Sequence, residues 1–349
     1  MVSFVISFLL EKAKFKAYEN SARKKLASMS ELKIIMITAS FGKTSIKNFI
    51  FELLKNDFAC RKTPRSVNTL AGLIQDVNNE LAAGTQIYIA EAGARLKGDI
   101  AQITEFLNPQ IAIVGEIGAQ HIEYFKTLEN IRATKLEALG SKRLEKAFVH
   151  SSTQANESEK IEIYDKDLSG VEASLDGVKF KLGEREFHSP LLGKFNAANL
   201  AVCVKTALYL GLDEARIATA LARLKNVEHR LERIDAGGKI IIDDGFNGNF
   251  NGMSASYELV AGYEGRKVLV TPGIMESSDE ENEKLSKIIN KTFDIVMLTS
   301  SLNAVALLKH LNRPKVIVIK DKSKMQEAMA QNTRAGDLIL FSNDAPSFM

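Results

Sequence analysis

From residue 32 onward the chain alternates short apolar runs with amphipathic helical patterns, and that alternation sets its fold class. The runs LKIIMITA, IYIAEAG, QIAIVGEIG and KAFVHSS are continuous and rich in Ile and Val. Runs of this length and composition predict strands buried on both faces of a parallel sheet. Between them, TSIKNFIFELLKN places Ile46, Phe49, Ile50, Leu53 and Leu54 on one helical face. Residues 161–190 alternate apolar and polar positions around Gly-containing turns, which predicts a small antiparallel meander inserted in this domain. Two helical patterns follow, GKFNAANLAVCVKTALYLGL and DEARIATALARL. A second alternation begins near residue 229, with KIIIDD, RKVLVTPG, FDIVMLTS, KVIVIKD and DLILFS as candidate strands. The expected architecture is α/β: a central P-loop-type, mostly parallel sheet domain over 31–228, then a Rossmann-like doubly wound domain over 229–349. The boundary is expected between Val227 and Arg230, and the cleft between two such domains is the default ligand site.

Composition removes several classes. A net charge of +3 over 349 residues gives no field on the nucleic-acid scale. The only two cysteines, Cys60 and Cys203, match no zinc or redox spacing, which points to a reducing cytoplasm. Cys203 lies in an apolar helical run, where packing is its expected role. Residues 1–30 form an apolar and basic arm. Val2 to Leu10 is too short to span a bilayer, which takes about 20 residues, and no small-residue cleavage site follows. The arm is expected to be the stub of a longer apolar segment, an interfacial anchor making peripheral contact through residues 1–26 at the inner face of the cytoplasmic membrane, or a helix docking on the main body.

Within this frame, IIMITASFGKTSIKNFIFELL has the layout of a phosphate-binding loop: strand, short loop ending Gly42-Lys43-Thr44, helix. The long pattern G-x-x-x-x-G-K-[ST] would need glycine at position 37, where Ile37 stands. Loop amides and the helix dipole hold phosphate oxygens, Lys43 would neutralise the β/γ-phosphates, and Thr44 would offer its hydroxyl to Mg²⁺. Glu91 ends a predicted buried strand, where a carboxylate faces the ligand crevice and can hold Mg²⁺ directly or through water. His121 follows another strand and a Gly-rich turn, and could serve as metal ligand, hydrogen-bond donor or plain structural residue. Lys135 sits on a charged helix, and nothing in the residue itself marks it.

Taken in order, these segments resemble the Mur ligases, the ATP-dependent amide ligases of peptidoglycan synthesis. The nearest type adds D-alanyl-D-alanine to UDP-N-acetylmuramoyl-tripeptide. Thr38 to Ser45 is similar to that family's short loop T-G-x-x-G-K-T-S, with Ala39 in place of a glycine. Thr63 to Asn68 resembles its T-x-x-x-x-N element, Glu91 to Ile100 its E-x-G-A block, His121 to Phe125 its H-x-x-x-F segment and Thr134 to Glu137 its A-K-x-E segment. Gly193 to Asn199 resembles G-x-x-N-x-x-N with Phe195 for the usual histidine, and Asp243 to Asn249 resembles D-D-x-Y-N-A-N. TPGIMESSDEE loosens a further block, and LILFSNDAPSFM lacks the family's K-G-S-R. The resemblance covers roughly residues 32–349, and the family's usual N-terminal UDP-binding domain has no counterpart in this sequence.

The resemblance implies ATP and two Mg²⁺ ions as cofactors, and UDP-muramoyl peptide and D-Ala-D-Ala as substrates of a cytoplasmic, monomeric enzyme with no nucleic-acid partner. ATP would phosphorylate the substrate carboxylate, and the dipeptide amine would attack the acyl phosphate. The implied nucleotide contacts are Ser40, Phe41, Gly42, Lys43, Thr44 and Ser45 in the loop, with Asn196 at the adenine and Arg230 near the γ-phosphate. Asp244, Asn247 and Asn249 fall at the ribose side or domain junction. The implied metal ligands are Thr44 and Glu91 for one ion, His121 and a carbamylated Lys135 for the other. Lys43, His121 and Lys135 are thus the catalytic set. Two alternatives remain at this stage: the same scaffold with another acceptor, as in folylpolyglutamate and cyanophycin-type synthases, or a non-catalytic nucleotide-binding protein.

Overall fold

The structure is a computed structural model. It describes residues 2–119, 122–246, 248, 250–274, 279–299, 305 and 307–344, with only the backbone described for residues 2–10, 13 and 279. The expected residues His121, Asn247 and Asn249 lie outside the described residues.

The chain forms two compact units, residues 1–168 with 198–220 and residues 169–197 with 221–349. The first is built on a parallel sheet of β1 (Lys33–Thr38), β2 (Cys60–Lys62), β3 (Ile87–Glu91), β4 (Ile111–Val114), β5 (Lys146–Val149) and β6 (Ile161–Ile163). Their order is β2-β3-β1-β4-β5-β6. Ile34, Met36, Tyr88, Ala90, Ala112 and Val114 face one core, while Ile35, Ile37, Ile87, Ile89, Ile111 and Ile113 are buried too. Both faces are therefore covered, which is why the strands read as unbroken apolar runs.

Helices α1 (Val2–Ser28), α2 (Lys43–Leu54), α3 (Leu70–Glu80), α4 (Asp99–Leu107), α5 (Ile122–Phe125) and α6 (Leu128–Leu136) belong to this unit. The five apolar residues expected on one face of α2 are all buried. The C-terminal half of α1 docks on α3 and α4. Ala22 and Leu26 are buried, Tyr18 donates to Asn79 Oδ1 at 2.7 Å, and Lys25 donates to the Asn78 carbonyl at 3.0 Å. No described helix is long and apolar enough to cross a membrane.

The meander is shorter than expected. Residues 161–163 are not part of it but pair parallel with β5 as the sixth strand of the main sheet. A three-residue edge strand carries too little periodicity to separate these cases. The antiparallel sheet itself is β7 (Leu168–Ser174), β8 (Gly177–Leu182) and β9 (Arg185–Ser189). After it come α7 (Asn196–Tyr209) and α8 (Glu214–Leu221).

The second unit carries the other six-stranded sheet: β10 (Glu232–Ala236), β11 (Lys239–Asp244), β12 (Lys267–Thr271), β13 (Ile295–Leu298), β14 (Lys315–Val318) and β15 (Leu338–Ser342). All five expected strands are present, in the order β11-β15-β12-β13-β14. An antiparallel edge strand, β10, adds to them, so the sheet is mixed. Helices α9 (Phe250–Ala261) and α10 (Asp279–Thr292) pack Tyr257 and Ile289 on one face, and α11 (Met325–Asn332) packs Met325 and Met329 on the other.

Candidate functional site

The C-terminal ends of β1, β3 and β4 converge in the first unit, and the phosphate-type loop grows from the first of them. Ile37, the apparent defect in the long pattern, is simply a buried residue of β1. Gly42 stands at the N-cap of α2 with φ 78°, a conformation L side chains rarely adopt. A Cβ there would also lie 2.6 Å from Asn199 Oδ1, so α7 presses an amide against the loop. Ala39, where glycine is expected, is not among the positive-φ residues and needs no such freedom. Its methyl takes space opened elsewhere: a Cβ on Gly115 would come within 2.9 Å of the Ala39 Cβ. The loop is fastened to the segment after β4. Ser40 N–H donates to the Glu116 carbonyl at 2.8 Å, and its hydroxyl donates to the Gly118 carbonyl at 3.0 Å. Lys43 folds back over the loop, its Nζ 2.8 Å from the Ala39 carbonyl and 3.0 Å from that of Ser40.

Glu91 is buried at the end of β3 and is the hub of the site. Thr44 Oγ1 donates to its Oε2 at 2.9 Å, Lys47 Nζ reaches the same oxygen at 3.1 Å, and Asn68 Nδ2 donates to Oε1 at 3.1 Å. Thr63, the other end of the element carrying Asn68, accepts from Glu91 N–H at 3.3 Å. The Thr44 hydroxyl can spend its proton on Glu91 while its lone pairs face a cation. The oxygen-rich pair suits hard Mg²⁺.

Lys135 lies in the last turn of α6 and is buried, unlike most lysines on charged helices. Among the described residues no hydrogen bond or ion pair is found for its ammonium. Burial, aided by the charge of Lys43, pushes it down to about 7, against the pull of Asp99, Glu137 and Glu91. The same groups place it within electrostatic reach of the loop. Glu137 has a bracing role: its carboxylate accepts from Gly98 N–H and Ala101 N–H, both at 2.9 Å, and so ties the end of α6 to the start of α4.

Thus Ser40, Phe41, Gly42, Lys43, Thr44, Ser45, Glu91 and Lys135 belong to one unit. Asn196, Arg230 and Asp244 belong to the other. Asn196 is buried and donates to the Leu192 carbonyl at 2.7 Å. Arg230 is exposed on a strap whose neighbours His229 and Leu231 both have positive φ. His229 Nδ1 lies 2.6 Å from Asp243 Oδ2, and that hydrogen bond raises its pKa. Asp244 is buried and accepts from Ser256 Oγ. Lys47, Asn199 and Gly115 were not expected in these roles. Lys47 occupies a helical position one residue outside the apolar stripe, where lysine ordinarily meets solvent.

A phosphate loop backed by a strand-end carboxylate, followed by a second doubly wound sheet, defines a nucleotide-binding α/β class. The Mur ligase middle domain matches residues 37–207, and the Mur ligase, glutamate ligase domain matches residues 229–343, so the chain belongs to the Mur ligase family. Within that family its likeness runs to the MurF type. It is 28% identical over 331 residues to UDP-N-acetylmuramoyl-tripeptide–D-alanyl-D-alanine ligase of Bacillus subtilis, covering 88% of this chain and 72% of that one. The Borreliella burgdorferi ligase of the same name is 25% identical, covering 85% and 65%. The crystal structure of the Thermotoga maritima MurF ligase in complex with ADP superposes with a TM-score of 0.79 at 26% identity, covering 95% of this chain and 80% of that chain.

Proposed function

We propose that the chain is an ATP-dependent amide ligase of peptidoglycan precursor synthesis, joining D-alanyl-D-alanine to the terminal carboxylate of UDP-N-acetylmuramoyl-tripeptide. The observation that carries this reading is the Thr44–Glu91 hydrogen bond of 2.9 Å beneath the Gly42-Lys43 turn, with Lys135 buried within electrostatic reach. The likeness to MurF ligases over most of the chain supports the choice of substrates. We take residues 31–228 and 229–349 as the two catalytic domains and 1–30 as an arm.

The reaction has two displacements. A carboxylate oxygen of the tripeptide attacks the γ-phosphorus of ATP and ADP leaves. The dipeptide amine then attacks the acyl carbon, loses a proton, and inorganic phosphate leaves as the amide forms. Such phosphoryl transfer needs positioning and charge neutralisation more than covalent help. Lys43 swings from its loop carbonyls to the phosphates, and the loop from Ser40 to Ser45 cradles them. Mg²⁺, when bound, supplies charge neutralisation at the phosphates; Thr44 and Glu91 would hold one ion, His121 and Lys135 a second. Lys135 can serve in this way because a neutral amine adds to CO₂, gives up a proton and becomes an anionic carbamate. By the same likeness, Asn196 would lie at the adenine, Arg230 near the γ-phosphate, and Asp244, Asn247 and Asn249 at the ribose side.

The test is ADP release that requires both UDP-muramoyl tripeptide and D-Ala-D-Ala. Turnover with neither, or only with a folate or an unrelated amino acid, contradicts it. Lys43→Ala is expected to abolish activity. The arm is read as an interfacial contact at the inner membrane face: Lys12, Lys14 and Lys16 are exposed beside the apolar stretch Val2–Leu10. Co-sedimentation with anionic vesicles, lost on deleting residues 1–17, checks that reading. Equal pelleting of the truncated chain overturns it.

A further inference from the structure

Lys47 has no part in the reaction as described, yet it is 1% exposed and sits 3.1 Å from Glu91 Oε2. A lysine in such a place is rare unless paired. Its Nζ also donates to the carbonyl of Arg65, a residue held at an unusual φ of 46°. Lys47 therefore binds the segment that carries Asn68, and Asn68 in turn holds the other oxygen of Glu91. A carboxylate offers about four lone-pair sites. Thr44 and Lys47 fill both sites on Oε2 and Asn68 one on Oε1, so among the described residues a single site on Oε1 remains.

The charge balance follows from the same contacts. The Lys47–Glu91 pair is neutral before any metal arrives. A free dication approaching Glu91 meets one negative charge already compensated by a fixed positive one, inside the protein where such charges are poorly screened. ATP changes this balance, because its phosphates bring the missing negative charge. We infer that Lys47 is a positioning residue that makes metal binding at Glu91 depend on nucleotide. It fixes Glu91 as an already neutralised anion, refuses a free divalent cation, and leaves the site to one that arrives with the phosphates. The inference rests on the proposed role of Thr44 and Glu91 as metal ligands.

The experiment is Mn²⁺ binding, read by the EPR signal of free Mn²⁺, on the full chain with and without a non-hydrolysable ATP analogue. The wild type is expected to bind Mn²⁺ tightly only with the analogue. Lys47→Met is expected to bind it without nucleotide about tenfold more tightly or better than wild type, since one nearby charge is removed. Lys47→Arg, which keeps the charge, should behave as wild type, and Lys47→Met with Glu91→Gln should lose the gain. Melting gives a second readout: Mn²⁺ alone should raise the melting temperature of Lys47→Met and not that of wild type. Wild-type protein that binds Mn²⁺ equally well with and without the analogue overturns the inference even if the variants fail to fold. So does equal nucleotide-free affinity in wild type and Lys47→Met, the outcome of a purely structural brace. Absence of Mn²⁺ binding even with the analogue rejects the metal site itself, and the inference with it.

Discussion

Lys47 and Lys135 are both buried in the first unit near Glu91, yet they live under opposite electrostatic rules. Lys47 is 1% exposed and ion-paired to Glu91. Lys135 is 4% exposed, with no ion pair or hydrogen bond for its ammonium among the described residues, and is pushed down to about 7. Burial alone therefore does not say what a lysine does; the partner does. A paired lysine organises a carboxylate. An unpaired one is driven toward the neutral amine, which is the form that can react.

The largest expected difference is in turnover. Lys135→Met and Lys135→Arg should both lower kcat by about 10²–10³-fold, because neither side chain can become a carbamate. A steady-state assay with saturating substrates checks this. Full activity in Lys135→Arg would remove Lys135 from the chemistry.

Stability follows. Lys47→Met leaves Glu91 buried without its counter-charge and should cost about 3–5 kcal/mol in denaturant unfolding of the metal-free protein. Lys135→Met removes a group that the fold must keep neutral. It should stabilise the CO₂-free protein at pH 7.5 by about 2–4 kcal/mol.

The pH profile sharpens the contrast. The Lys135 pKa is lower in the folded state, about 7 against the ordinary lysine value of 10.5, so the unfolded chain binds more protons between those values. Its penalty is complete below pH 7 and is relieved as pH rises toward 10.5. Wild-type stability should therefore gain relative to Lys135→Met across that window, measured as a difference between the two unfolding curves. A flat difference contradicts the assignment.

The smallest effect concerns the loop. Gly115→Ala would set two methyls 2.9 Å apart against Ala39 and should cost about 1–3 kcal/mol. Ala39→Gly in the same chain should restore most of it. A clash that Ala39→Gly does not relieve would show that the two positions are not coupled.

These contrasts also mark what the sequence made legible. Ile46, Phe49, Ile50, Leu53 and Leu54 announced the buried face of α2 because apolar periodicity reports directly on packing. The five C-terminal strands were readable for the same reason. The edge strands β2 and β10 were not expected, and β6 was assigned to the meander, because short edge strands have little pattern to read. Thr44 and Glu91 were legible from strand and helix ends. Lys47 and Lys135 were not, since a lysine's burial depends on what the rest of the fold brings over it. Only the likeness to a family singled out Lys135, and nothing singled out Lys47. The space that accommodates Ala39 comes from Gly115, 76 residues away in sequence, and such a pairing has no local signature.

One substitution should have opposite consequences at these two buried lysines. The most direct measurement is the unfolding free energy of Lys47→Met and Lys135→Met beside wild type, at pH 7.5 in metal-free, CO₂-depleted buffer. The first is expected to be less stable than wild type and the second more stable. Two changes of the same sign would contradict it.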